Sequence, residues 1–290
     1  MSTPRIPDVI ELMKPITWFA PMWAYACGVV SSGMSVIADP LPLVAGVILA
    51  GPLLCASSQV INDWQDRHVD AINQPERPIP SGRLSPRLAC LLAIALSLAS
   101  LLLAAALGPW VFGTACVGLF LSWAYSTPPL RLKRDGWYGN AAVALSYEGL
   151  AWFAGAAVMS AGFPGSAVLW MALCYSIGAH GIMTLNDFKA VAGDREMGVA
   201  SLPARYGIRR AARLACLVMA GAQLVVIGLL LAWQLPGYAA AITSLLIAQG
   251  GLMRRFMADP VARAPWYNAT GTTLYVIGMM ITAVAIRGLS

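Results

Sequence analysis

Asn62, Asp63, Asp66 and Asp70 stand in the run INDWQDRHVDAINQPERPIPSGR, residues 61–83, directly behind the uncharged stretch 41–61. If the helix of that stretch continues, the three carboxylates fall at i, i+3 and i+7 and share one face, with Asn62 alongside. Carboxylates this close repel one another and call for a cation between them. An oxygen-only donor set favours a hard ion such as Mg²⁺, which keeps several waters and usually binds through a few carboxylates and a substrate phosphate.

A second stretch, LNDFKAVAGDREMGVASLPARYG (185–207), answers the first. Asn186, Asp187 and Asp194 align with Asn62, Asp63 and Asp70 at a constant offset of 124, whereas Asp66 meets Ala190 and Gln65 meets Lys189. Two such clusters facing each other would hold two Mg²⁺ ions around one diphosphate. The plain alternative is a pair of solvated acidic loops. Duplication at equivalent ends of apolar runs favours the metal reading. Bases nearby suit a phosphate: Arg67, Lys189 and Arg195 within the motifs, and Arg131, Lys133 and Arg134 in YSTPPLRLKR. Each also has an ordinary reading as a topology signal. Arg77 and Arg83 frame PIPSG, a rigid segment ending in a permissive glycine, expected to shape a lid. Spacing alone thus says divalent metal and phosphate, and names no reaction.

The elements that position these groups follow from composition. The 290 residues are 59% hydrophobic and 11% charged, whereas soluble domains carry about 25% charge. Apolar runs at 16–37, 41–61, 86–106, 109–126, 140–161, 166–186, 211–232, 237–254 and 268–286 predict nine membrane-spanning helices. Helices are required because lipid leaves open backbone groups unsatisfied, and strict strand alternation is missing. The first run is too long for a signal peptide and lacks a small-residue cleavage site, so no cleaved leader is expected. Of the 19 Lys and Arg residues, only Arg287 falls opposite the N-terminal side. That predicts a cytoplasmic N-terminus and an external C-terminus. The net charge of +6 then needs no nucleic acid. The six cysteines lie within predicted spans without a CxxC pair and read as buried small hydrophobes. Four spans separate the two motifs, so both copies keep one orientation. This predicts one all-α polytopic transmembrane domain over 1–290: two parallel four-helix repeats, about 16–138 and 139–266, plus a ninth helix, 268–286.

At these residues the chain resembles the UbiA superfamily of intramembrane prenyltransferases over nearly its whole length. NDWQDRHVD resembles the family's first aspartate motif and NDFKAVAGDR stands at the second. The segments NDWQDRHVDAINQPERPIPSGR, YSTPPLRLKRDGWYGN, YEGLAWFAGA and YSIGAHGIMTLNDFKAVAGDREMGVASLPARYG look most like the branch of chlorophyll and bacteriochlorophyll synthases, with SYEGL and SIGAHGIMTLNDFK nearer its bacterial side. Many superfamily members have DxxxD in the second motif. Here Val191 replaces the second acid and Asp194 lies seven residues after Asp187.

The resemblance implies a Mg²⁺-dependent transfer of geranylgeranyl or phytyl from its diphosphate to the propionate of bacteriochlorophyllide, in a bacterial photosynthetic inner membrane. The neighbouring alternatives are a quinone-precursor ring or chlorophyllide as acceptor. Lipid and pigment-biosynthesis or photosystem-assembly proteins would be its surroundings. Asp63, Asp66, Asp70, Asp187 and Asp194 would be catalytic and, with Asn62 and Asn186, metal-binding. Arg67, Arg131, Lys133, Lys189 and Arg195 would bind diphosphate. Tyr125 and Tyr175 are candidates to face the prenyl cation, each with a competing packing role. Glu148 lies mid-span, where carboxylates are rare; it would meet the acceptor or bond a neighbouring helix. His180 would ligate the pigment's magnesium or serve as a core histidine. His68 is expected to be solvated or to support a ligand. A transporter would need charge deep in the bundle, where only Glu148 stands, and a pigment scaffold would consume no donor.

Overall fold

The computed structural model describes residues 5–35 and 40–289. Residues 36 and 37, the end of the first expected span, lie outside them, as do the first four residues. The fold is all-helical. In chain order the helices are α1 Ile6–Met13, α2 Phe19–Ser31, α3 Leu41–Asn73, α4 Pro86–Leu107, α5 Pro109–Ser126, α6 Gly136–Ser160, α7 Ser166–Asp187, α8 Val191–Glu196, α9 Leu202–Tyr206, α10 Ile208–Ala232, α11 Pro236–Ala258 and α12 Pro260–Ile286. Each of the nine apolar runs coincides with one of α2–α7 and α10–α12. Six of these, α3, α4, α6, α7, α10 and α12, are long and apolar enough to cross a bilayer. The protein is a polytopic membrane protein.

Local chemistry sets the helix ends. Ser85 caps α4 by accepting from the Leu88 amide, with Pro86 following at the first helical position. Asp135 caps α6 through the Trp137 and Tyr138 amides, and Asp259 caps α12 through Ala262. Two helices carry a wider π-turn, Leu49–Cys55 in α3 and Leu145–Leu150 in α6. Pro52 accounts for the first, since proline cannot donate into the regular ladder.

Consecutive long helices pack from α2 round to α12, and α12 returns to α2. The backbones of α2 and α6 approach closely. A Cβ on Gly28 would lie 2.0 Å from the Trp152 carbonyl oxygen, and one on Gly155 would lie 2.1 Å from that of Tyr25. Small residues allow such backbone contact where lipid offers no hydrophobic drive between helices. The core beside it holds Trp152, Tyr25, Tyr175 and Tyr275. On the polar face, the loop after α5 joins the segment before α9: Gly136 N donates to Ala200 O, and Ala200 N to Arg134 O. All six cysteines are free.

Candidate active site

α3 runs unbroken through the first motif to Asn73, so Asp63, Asp66 and Asp70 share a face. Asp63 and Asp70 are buried, at 2% and 6% exposure. Four basic side chains hold the three carboxylates. Lys14 Nζ donates to Asp63 Oδ1 at 2.6 Å, and Arg77 reaches the same oxygen at 3.2 Å. Arg77 also donates to Asp70 Oδ2 at 2.7 Å. Asp66 accepts from Arg131 at 3.1 Å and from Lys133. Asn62 Nδ2 donates to Ser126 Oγ at 3.1 Å. Lys14 ends α1 in a left-handed conformation (φ 49°), as does Arg131 (φ 39°) before its short turn. Burial pushes the Lys133 ammonium below its ordinary range, against the pull of Asp66.

α7 ends at Asp187, whose Oδ2 accepts from Asn140 Nδ2 of α6 at 3.3 Å. Asp194 does not continue that helix. The chain turns at 188–190 and resumes as the short α8. Ser201 Oγ donates to Asp194 Oδ2 at 2.5 Å. Burial raises the Asp194 pKa, and the Ser201 bond opposes that rise. Arg77–Asp70 and Ser201–Asp194 are therefore equivalent pairs, both members shifted by 124 residues.

Asn62 of the first motif and Asn186 and Asp187 of the second line one cavity of about 690 Å³, whereas Asp63, Asp66, Asp70 and Asp194 stand outside its lining. Asn62 and Gln59 contribute from α3, Tyr125 from α5, Asn140, Tyr147 and Glu148 from α6, Asn186 and Asp187 from α7, and Asn268 and Thr272 from α12. Phe19, Trp23, Val276 and Ile277 make an apolar side between α2 and α12. The volume lies within the usual range for organic ligands. In its lining the Tyr147 hydroxyl accepts from Gln59 Nε2 at 3.1 Å and from Cys55 Sγ at 3.2 Å.

Several expected site residues lie elsewhere. Arg67 donates to the Trp64 carbonyl at 2.7 Å and covers the Trp64 ring at 5.5 Å. Lys189 and Arg195 are exposed, and His68 is exposed as a solvated residue would be. Tyr175 is a core residue, stacked on Trp152 at 5.4 Å and bonded to Thr282 at 2.8 Å. His180 Nε2 meets the Trp137 carbonyl at 3.3 Å, and its ring packs on Trp137. Neither Tyr175 nor His180 lines the cavity.

Among the described residues, no three His, Cys, Asp or Glu side chains converge on a ready metal cage. Mg²⁺ needs none, since one or two carboxylates, waters and a substrate phosphate suffice. The oxygen-only donors suit it, and Asp63 Oδ2 is buried without a hydrogen-bond partner. The residues fit the ion.

Residues 15–284 match the UbiA prenyltransferase family. The chain belongs to this family. It is 55% identical to the bacteriochlorophyll synthase 33 kDa chain of Cereibacter sphaeroides, covering 99% of this chain and 95% of that one. Identity to the chlorophyll synthase of Arabidopsis thaliana is 39%, covering 95% of this chain and 73% of that one. Its fold is that of a UbiA homolog from Archaeoglobus fulgidus bound to DMAPP and Mg²⁺, with a TM-score of 0.72, 20% identity, and coverage of 96% and 99% of the two chains. A digeranylgeranylglyceryl phosphate synthase structure superposes with a TM-score of 0.76 at 21% identity, covering 96% and 98%.

Two polar groups of this UbiA-family site escape sequence reading. Lys14 precedes Asp63 by 49 residues and reads as a topology charge. Asn140 lies near the start of an apolar helix and carries no motif; only its burial beside Thr184 and Asp187 marks it.

Proposed function

We propose that this UbiA-family protein esterifies bacteriochlorophyllide with a prenyl group, taken as geranylgeranyl or phytyl from its diphosphate. The single observation that carries the reading is the shared cavity. Asn62 of the first motif and Asn186 and Asp187 of the second meet at its polar end, beside a largely apolar chamber. Near-complete coverage at 55% identity to a bacteriochlorophyll synthase chain supports the acceptor.

Asn62, Asp63, Asp66, Asp70, Asn186, Asp187 and Asp194 would hold two Mg²⁺ ions. Bound there, Mg²⁺ neutralises charge developing on the leaving diphosphate. Lys14, Arg77, Arg131 and Lys133 already sit on the carboxylates and are placed to pass charge-assisted hydrogen bonds to diphosphate oxygens. The prenyl C1–O bond breaks, the diphosphate leaves with the electron pair, and a propionate oxygen bonds C1. The propionate is ionised near neutral pH, so no strong base is required. Tyr125 and Tyr147 line the chamber where the allylic carbon is expected to lie, and the apolar side between α2 and α12 gives lipophilic substrates access from the bilayer.

In this reading all nine long helical segments cross the membrane as two parallel repeats plus α12. The motif end faces the cytoplasm of a photosynthetic bacterium. The equivalent Arg77–Asp70 and Ser201–Asp194 pairs support the repeat. The test is purified protein with Mg²⁺, geranylgeranyl or phytyl diphosphate, and bacteriochlorophyllide. Product mass must show the ester, with diphosphate released in equal amount. Esterification of neither tail, or prenylation only of a quinone-precursor ring, would reject the reading.

A further inference from the structure

Glu148 stands in the middle of α6 at 5% exposure. Its Oε2 is buried without a hydrogen-bond partner, and no ion pair among the described residues includes it. A carboxyl group left this way inside a membrane protein is costly and marks a ligand site by default. Glu148 also lines the large cavity and sits on the π-turn Leu145–Leu150. Such turns gather at functional sites, where the inserted residue re-aims a side chain.

The depth of Glu148 identifies what it meets. Asn140, bonded to Asp187, lies eight residues earlier on the same helix. Glu148 is therefore about 12 Å further from the diphosphate end along the helix axis. A chlorin that delivers its propionate to that end places its ring centre on the same scale of distance. The ring binds magnesium through four nitrogens and leaves an axial position open. Magnesium is a hard cation that prefers oxygen.

We propose that Glu148 binds the acceptor by ligating its central magnesium. This rests on the reading that the acceptor is bacteriochlorophyllide. It assigns to Glu148 the role that sequence alone offered to His180, whose imidazole is engaged with Trp137 instead.

The experiment uses the full chain in lipid nanodiscs without prenyl diphosphate. Bacteriochlorophyllide and its magnesium-free counterpart are titrated separately, following tryptophan quenching and the pigment absorption bands that respond to axial ligation. The wild-type protein is expected to prefer the magnesium form by about tenfold or more. Glu148→Leu brings the ratio to within about twofold and abolishes the ligation band shift. Glu148→His, which supplies another axial donor, restores both. Unchanged affinity for geranylgeranyl diphosphate shows that a variant is folded. If the leucine variant does not fold, Glu148→Gln, which keeps the side-chain shape, must reduce the preference without weakening the metal-free pigment. An unchanged ratio in a folded Leu or Gln variant, or no preference in the wild type, overturns the proposal. A wild-type protein that neither binds nor esterifies either pigment rejects the functional reading instead.

Discussion

Arg77→Met removes the side chain that joins two buried carboxylates, at 3.2 Å to Asp63 and 2.7 Å to Asp70. Lys14 stays on Asp63, but Asp70 is left with no cationic partner among the described residues. Breaking a buried pair from one side costs about 3–5 kcal/mol. Arg77 is itself 23% exposed, so solvent screens part of this, and about 2–3 kcal/mol is expected. For a chain of this size that lowers the melting temperature by about 5 °C or more, read by tryptophan fluorescence in detergent. The stranded carboxylates are also the groups assigned to Mg²⁺. Millimolar Mg²⁺ with diphosphate should therefore raise the melting temperature of Arg77→Met more than that of wild type, recovering about half of the deficit by binding the native state. An equal rise in both proteins would refute the assignment of the stranded carboxylates to Mg²⁺. A variant as stable as wild type without Mg²⁺ would refute the charge accounting itself.

Asp63→Ala and Asp187→Ala should each lower esterification by about 10²–10³-fold while the protein still inserts and melts cooperatively, measured as single-turnover product formation. Gly28→Ala drives a Cβ to 2.0 Å from the Trp152 carbonyl oxygen and should lose about 1–3 kcal/mol in thermal unfolding. His180→Gln should keep turnover within about threefold of wild type, because the imidazole packs on Trp137 outside the chamber; a loss of about a hundredfold in product formation would return it to the pigment site.

Lipid makes the long helices legible. With no water to satisfy an open backbone, an apolar run must become a helix, so hydropathy alone located the segments of α2–α7 and α10–α12. The stripe Asp63–Asp66–Asp70 was equally legible, because helical periodicity fixes a face wherever the helix continues. Asp194 was less so: the turn at 188–190 breaks the register and places it on α8. What neutralises the carboxylates was not legible. Sequence reading asked for a cation between them, and the structure supplies Arg77 from the turn just after α3 and Lys14, Arg131 and Lys133 from segments distant in the chain. That pairing depends on how α1, the turn after α3 and the loop after α5 fold over α3, and periodicity carries no trace of it. Tyr175 and His180 show the converse. Both lie in the same helix as the second motif, but rotation about its axis sends one into the aromatic core and the other onto Trp137. Pro52 announces one π-turn, whereas nothing in LSYEGL announces the other.

The central claim is that the two motifs grip one diphosphate together. Its most direct test is a double-mutant cycle on Mg²⁺-dependent affinity for geranylgeranyl diphosphate with Asp63→Ala, Asp187→Ala and the double variant. A shared site predicts that the second substitution costs much less once the first is made, a coupling of about 1 kcal/mol or more. Losses that add to within about 0.5 kcal/mol would mean that the motifs act independently, and would contradict the account.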